Sequence, residues 1–181
     1  EIEPGLYEYP SYAVLLDTPV VVGDFELVTR EVHGVPFHHV FLDRTWGFDT
    51  ELDGFIDALV RVAEESHALF GSFPFEHYTW IFSFSPQFHW GLEHLSSTMI
   101  GLDGKTLIDP VERMRGVRVA AHELYHAWNV CRLKPAPLGR PDHVAGSFTE
   151  GLWVSEGLTR YYEFLLAVRA GELAPDDFLG N

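Results

Sequence analysis

Apolar residues are spaced along this chain in two rhythms, and the rhythm changes part-way through. In the first 45 residues they cluster or alternate as in strands: Ala13 to Val22 is rich in Val and Leu, and Phe25 to Val32 and Val35 to Leu42 flank His33-Gly34. Two such runs around a short Gly-containing turn predict a hairpin. From Leu52 the spacing lengthens. Leu52, Phe55, Ile56, Leu59, Val62, Ala63 and Leu69 recur at helical intervals, which predicts a helix to about Phe70, capped by Asp49 or Thr50 and stopped by Gly71. His77 to Phe84 and Leu92 to Ile100 read as two further strands, the second followed by a Gly-Leu-Asp-Gly turn at 101–104. Asp109-Pro110 opens a helix, with Asp as cap and Pro in the first turn; it is expected to run to about residue 130, short of Lys134-Pro135. Residues 134–147, with three prolines and two glycines, read as a loop. A last helix is expected from about Glu150 to Ala170, closed by Gly171. Strands first and helices later predict an α+β fold, with no internal repeat. The expected division is a β-rich segment over 1–48, the end of a preceding β domain, and a second domain over 49–181.

The 110–130 helix contains His122-Glu123-Leu124-Tyr125-His126, an H-E-x-x-H pattern. Residues four apart lie one turn along the same helix face, so His122 and His126 can offer two imidazole nitrogens to one ion. Glu123 lies about 100° further round and can reach a water on that ion. This is the ligand geometry of a zinc hydrolase, with Zn²⁺ as the expected cofactor. Such sites take three protein ligands, and Glu156 is the leading third: it follows His126 by 30 residues across a loop, so its helix can pack on the first. Glu163 follows Glu156 by seven residues on nearly the same face and can accept a hydrogen bond from a ligand imidazole. Tyr161 and Tyr162 read as packing aromatics. His33, His38, His39, His67, His77, His89 and His143 have no ligand spacing with the pair.

Composition narrows the partners. A net charge of −15 over 181 residues speaks against nucleic acid, which needs clustered Lys and Arg, and against an anionic membrane surface. No apolar run is long enough to span a bilayer. The single cysteine, Cys131, leaves no internal disulfide and leans towards a reducing, cytoplasmic setting. The first residues carry no signal-peptide pattern; one removed upstream would place the protein outside the cytoplasm.

Three segments together resemble the glycyl aminopeptidase family of PDZ-containing zinc metallopeptidases: His122 to Val130, Arg132-Leu133-Lys134-Pro135, and Trp153 to Glu163 followed by Val168 to Gly171. The likeness covers about residues 88–171. It implies a thermolysin-like catalytic domain that normally sits between an amino-terminal β domain and a PDZ domain, so the chain is expected to be a catalytic-domain fragment. It also implies a role for Trp90-Gly91-Leu92-Glu93-His94, which is similar to the family's Gly-x-x-Glu element on an edge strand, though only Leu92 separates Gly91 from Glu93 here; Glu93 would hold the free α-amino group of a peptide substrate. Related enzymes supply an oxyanion-stabilising Tyr or His from later in the chain than residue 181.

The expected function is that of a zinc aminopeptidase with Glu123 as general base. Two alternatives stay open: a zinc endopeptidase with the same ligands, and a catalytically incomplete, metal-stabilised module that binds peptide.

Overall fold

A computed structural model describes residues 5–42, 52–86, 88–139, 142 and 144–180. The expected cap at Asp49 or Thr50 and His143 lie outside the described residues. Strands β1 (Phe25–Val32) and β2 (Val35–Leu42) form the antiparallel hairpin expected around His33-Gly34. Both turn residues have positive φ (49° and 79°), the two-residue turn whose twist matches that of the strands.

Helix α2 (Leu52–Phe70) then crosses over, and β3 (Tyr78–Phe84) joins β2 in parallel. Its buried residues, among them Phe55, Ile56, Leu59, Val62 and Ala63, form the predicted stripe. Gly71 ends it, with its N–H on the His67 carbonyl at 2.7 Å. Beyond β3 lie β4 (Trp90–Glu93) and β5 (Ser97–Leu102). The sheet has the order β1-β2-β3-β5-β4, so it is mixed, with β4 on one edge. The strands either side of the division expected at residue 48 share this one sheet.

Helices α2 and α3 (Pro110–His126) cover one face of the sheet. Trp80 and Phe82 of β3 are fully buried there: Phe82 meets Phe55 edge-on, and the Trp80 indole donates to the Ala120 carbonyl of α3. Each such side chain stabilises the fold by about 1.5–3 kcal/mol through burial alone. Asp109 caps α3 as predicted, its carboxylate accepting from Val111 and Glu112 N–H (2.9 and 3.0 Å). Helix α4 (Leu152–Arg169) packs along α3, and a short α5 (Pro175–Leu179) follows. No described helix is long and apolar enough to cross a membrane.

Three expectations need correction. Ala13 to Val22 is not a strand: residues Tyr12–Asp17 form a short helix, α1, capped by Ser11, whose hydroxyl accepts from Val14 N–H. No residue of α1 is buried, so the apolar run had no sheet to join. Leu92 to Ile100 is not one strand but parts of two, because the chain reverses at 94–96 and His94 N–H bonds back to the Ser97 carbonyl. The H-E-x-x-H helix stops at His126 rather than near 130; Val130 has φ 125°, which no helix continues through. The α+β class is as expected, and α2 lies where predicted, between β2 and β3, where it makes their parallel pairing possible.

Candidate metal centre and substrate edge

His122, Glu123 and His126 occupy the last turns of α3, and α4 brings Glu156 and Glu163 alongside. The two imidazoles meet at about right angles, with His122 Nε2 and His126 Nε2 3.0 Å apart. Glu156 Oε2 lies 3.4 Å from the first and 3.7 Å from the second. The outer nitrogens are held from behind. His122 Nδ1 is 3.0 Å from Glu163 Oε2, and His126 Nδ1 is 2.8 Å from the Asn129 carbonyl oxygen. Both partners are pure acceptors, so both Nδ1 atoms carry the proton and both Nε2 lone pairs are left facing each other.

Two such nitrogens at 3.0 Å need a cation between them, either a proton shared by the pair or a metal ion. Ligand atoms about 2.0–2.1 Å from a tetrahedral ion are roughly 3.3 Å from one another, close to the three separations here. His122, His126 and Glu156 therefore fit a metal ion, and they form one of two groups of close ligand atoms among the described residues. The other, Glu93, Glu123 and His126, shares His126 and belongs to the same place.

Asn129 also ties the two helices. Its side-chain amide donates to the Ser155 carbonyl (2.8 Å) and the Thr159 hydroxyl (3.1 Å), fixing the first turn of α4 and with it Glu156. Glu163 is almost wholly buried and bonded on both oxygens: Oε2 to His122, Oε1 to Arg118 (3.1 and 2.6 Å), with Arg160 bridging both (3.0 and 3.1 Å). Burial pushes the Glu163 carboxyl up, but its bonds to His122 and Arg118 outweigh this and hold it below the usual range. Burial likewise pulls His122 down, and the Glu163 bond and neighbouring carboxylates outweigh that and raise it.

The other side of the centre is the edge strand β4. Gly91 and Glu93, two residues apart, share the face turned to α3. Gly91 passes so close to Glu123 that a Cβ there would lie 2.1 Å from Glu123 Oε1. Glu123 is buried, and its Oε2 has no hydrogen-bond partner. Burial first, then Glu93 and Glu156 nearby, push its pKa up to about 8, against the lowering influence of His122. The Tyr78 hydroxyl fixes the backbone here by donating to the Glu123 carbonyl (3.2 Å). The tip of the β4–β5 hairpin is clamped at Leu95: Asp17 accepts its N–H (2.8 Å), and one Arg132 nitrogen donates to its carbonyl (2.9 Å) and to that of Ala127 (2.6 Å).

The structure thus brings together all seven residues singled out in the sequence. Those not anticipated are Arg118, Arg160, Tyr78, Asp17 and the bonds of Asn129 and Arg132. Arg118 stands four residues before His122, a spacing that could have marked it as a neighbour of Glu163; Tyr78 and Asp17 carry no such signal. Tyr162 stacks on Tyr125 at 4.6 Å, a packing role as expected. His39 is buried against Trp80, and His33 pairs with Glu64, both away from the centre.

Comparison with known proteins bears on the same residues. The model of the M61 glycyl aminopeptidase family matches residues 115–181, a span holding both histidines and Glu123, Glu156 and Glu163. An aminopeptidase N family protein from Idiomarina loihiensis, known by crystal structure, superimposes with a TM-score of 0.80 at 27% identity, over 87% of this chain and 27% of that one. The chain therefore spans about a quarter of that neighbour's length. No curated protein matches. The family match over α3 and α4 and the shared fold over most of the chain point the same way: the chain is similar to the glycyl aminopeptidase family over the helices that carry the candidate site.

Proposed function

We propose that the protein is a zinc-dependent aminopeptidase with a thermolysin-like catalytic domain, and that His122, His126 and Glu156 are its metal ligands. The observation that carries this reading is the pair of Nε2 atoms fixed face to face beside a carboxylate. Two imidazoles and one carboxylate form a donor set that suits Zn²⁺ and leaves a fourth position open. Bound there, zinc would supply Lewis acidity and a water of lowered pKa.

Glu123 acts as the general base, taking the proton of the attacking water and returning it to the departing amine. Its place supports this role: it is buried, and Oε2 is free to accept. A neighbouring cation favours the ionised carboxylate, so loading the site brings Glu123 down from about 8 towards the range a base needs. Glu93 receives the α-ammonium of the substrate, and the open edge of β4 pairs with its backbone. An ammonium-binding carboxylate beside the reacting centre makes removal of the amino-terminal residue the favoured reaction, on peptides with a free amino terminus.

Replacing Glu123 with Gln tests the core of the proposal. The variant should bind one metal ion per chain and lose about 10²–10⁴ in kcat. Full turnover in that variant, or no stoichiometric metal in the wild type, would overturn it. Cleavage of amino-terminally blocked peptides at the same rate as free ones would point to the endopeptidase alternative instead.

A further inference from the structure

The buried carboxylate behind His122 raises a question the metal ligands do not answer: what turns it the right way. Glu163 has two oxygens, and only Oε2 meets His122. A carboxylate free to rotate would spread its acceptors over several directions and loosen the imidazole. Here Oε1 is taken by Arg118 through both Nε (3.1 Å) and Nη2 (2.6 Å), two donors of one planar group on one oxygen. Arg118 is itself held: its guanidinium lies 3.6 Å from the centre of the Phe164 ring, and its side chain is only 14% exposed. Phe164 is the next residue after Glu163 on α4. Arg118 on α3 thus meets both Phe164 and Glu163 on α4, and Glu163 in turn meets His122. Arg160 also reaches Glu163, but its side chain is 62% exposed and its guanidinium lies 5.1 Å from Phe164, so it is the looser of the two.

We propose that Arg118 is a positioning residue for the metal: it locks the rotation of Glu163 and thereby the Nδ1–H tautomer and ring orientation of His122. Charge-assisted, two-donor contacts are both stronger and more directional than single ones, and an Arg stacked on an aromatic ring loses little freedom in making them. The inference rests on the metal reading above. Arg118 itself touches neither ion nor substrate.

The test is Zn²⁺ affinity, read by competition with a chromophoric chelator, on the wild type and on Arg118→Gln, Arg118→Lys, Arg160→Gln and Glu163→Ala. Loss of an outer partner of a metal ligand weakens binding about 10- to 100-fold, and Glu163→Ala should fall in that range. Arg118→Gln should weaken binding about tenfold, the low end of that range, because Arg160 still holds the carboxylate. Arg118→Lys should recover part of the loss, and Arg160→Gln should cost less than either. In a Glu163→Ala background, Arg118→Gln should add less than a further twofold, because there is no carboxylate left to orient; a general loosening of the fold would instead add in full. In metal-free protein, imidazole ¹⁵N shifts should show the Nδ1–H form of His122 losing its dominance in Arg118→Gln. If Arg118→Gln does not fold, Arg118→Lys is read in its place.

Unchanged affinity and tautomer in a folded Arg118 variant overturn the inference alone, with wild-type zinc binding intact. Full additivity with Glu163→Ala overturns it as well. A wild type that binds no zinc overturns the metal reading and this inference together.

Discussion

The two sides of the centre are built to opposite specifications. Behind the two imidazoles, between α3 and α4, the polar groups are paired. Glu163 is bonded on both oxygens, each ligand imidazole is pinned at Nδ1, and Asn129 bonds to α4. On the β4 side the reverse holds: Glu123 Oε2 is buried with no partner, and the strand presents an open edge. Buried groups are normally satisfied, so an unpaired carboxylate oxygen costs stability, on the order of 1–3 kcal/mol. It is tolerated where something outside the chain completes it. In the proposed function, the contrast separates what must stay fixed, the ligands, from what must stay available, the base and the substrate strand.

The contrast can be broken most sharply at Gly91. A Cβ there would collide with Glu123 Oε1, so Gly91→Ala must push either the strand or the base aside. Displacements of about 1 Å cost roughly 10² in rate, so kcat/KM should fall about 100-fold while metal affinity stays within a few-fold of wild type. Equal loss of metal would mean that the two sides are not separable. Glu93→Ala should act next most strongly. A charge-assisted hydrogen bond is worth about 1.5–3 kcal/mol, so KM for free peptides should rise roughly 10- to 100-fold. KM for blocked peptides should hardly move; an equal rise for both would remove Glu93 from the role of ammonium anchor.

The last prediction concerns stability rather than turnover, belongs to neither side and serves as a control on the scaffold. Burial lowers the His39 pKa to about 4, against an ordinary value of 6.5. Between these pH values the unfolded chain binds more protons than the folded one, so stability rises with pH across the window and is fully present above about 6.5. Acidification from pH 6.5 to 4 should therefore cost roughly 3 kcal/mol from this group. In His39→Phe, denaturant midpoints should show a correspondingly flatter acid limb. If the limb is unchanged, the carboxylates of the site, not the sheet, govern acid stability.

What the sequence could express was local or periodic. His33-Gly34 between alternating strands, Asp109-Pro110 before a helix, and histidines four apart are short-range patterns with one physical meaning each. Glu156 and Glu163 were accessible because a seven-residue helical interval keeps two side chains on one face. The misreadings share the opposite character. The turn at His94-Leu95-Ser96 contains no Gly, Pro or Asn, so nothing local separates β4 from β5. Ala13 to Val22 has strand-like residues but no partner strand, and partners are a property of the whole fold. The spacing of Arg118 from His122 hints at Glu163 as a neighbour, but its two bonds to that carboxylate depend on a residue 45 positions away.

The clamp on Leu95 gives the substrate strand a place in the order of folding. Its N–H is met by Asp17, 78 residues back along the chain, and its carbonyl by Arg132, 37 residues ahead. Each contact waits on its own distant segment, so the clamp is complete only when both have arrived, and contacts across such separations form late. Strand β4 should therefore settle after the helix that carries the histidines, and the cleft beside it should acquire its final width last. During synthesis, a chain that has not yet emerged past Arg132 lacks half of the clamp, so it carries His122 and His126 before it holds a finished β4 edge.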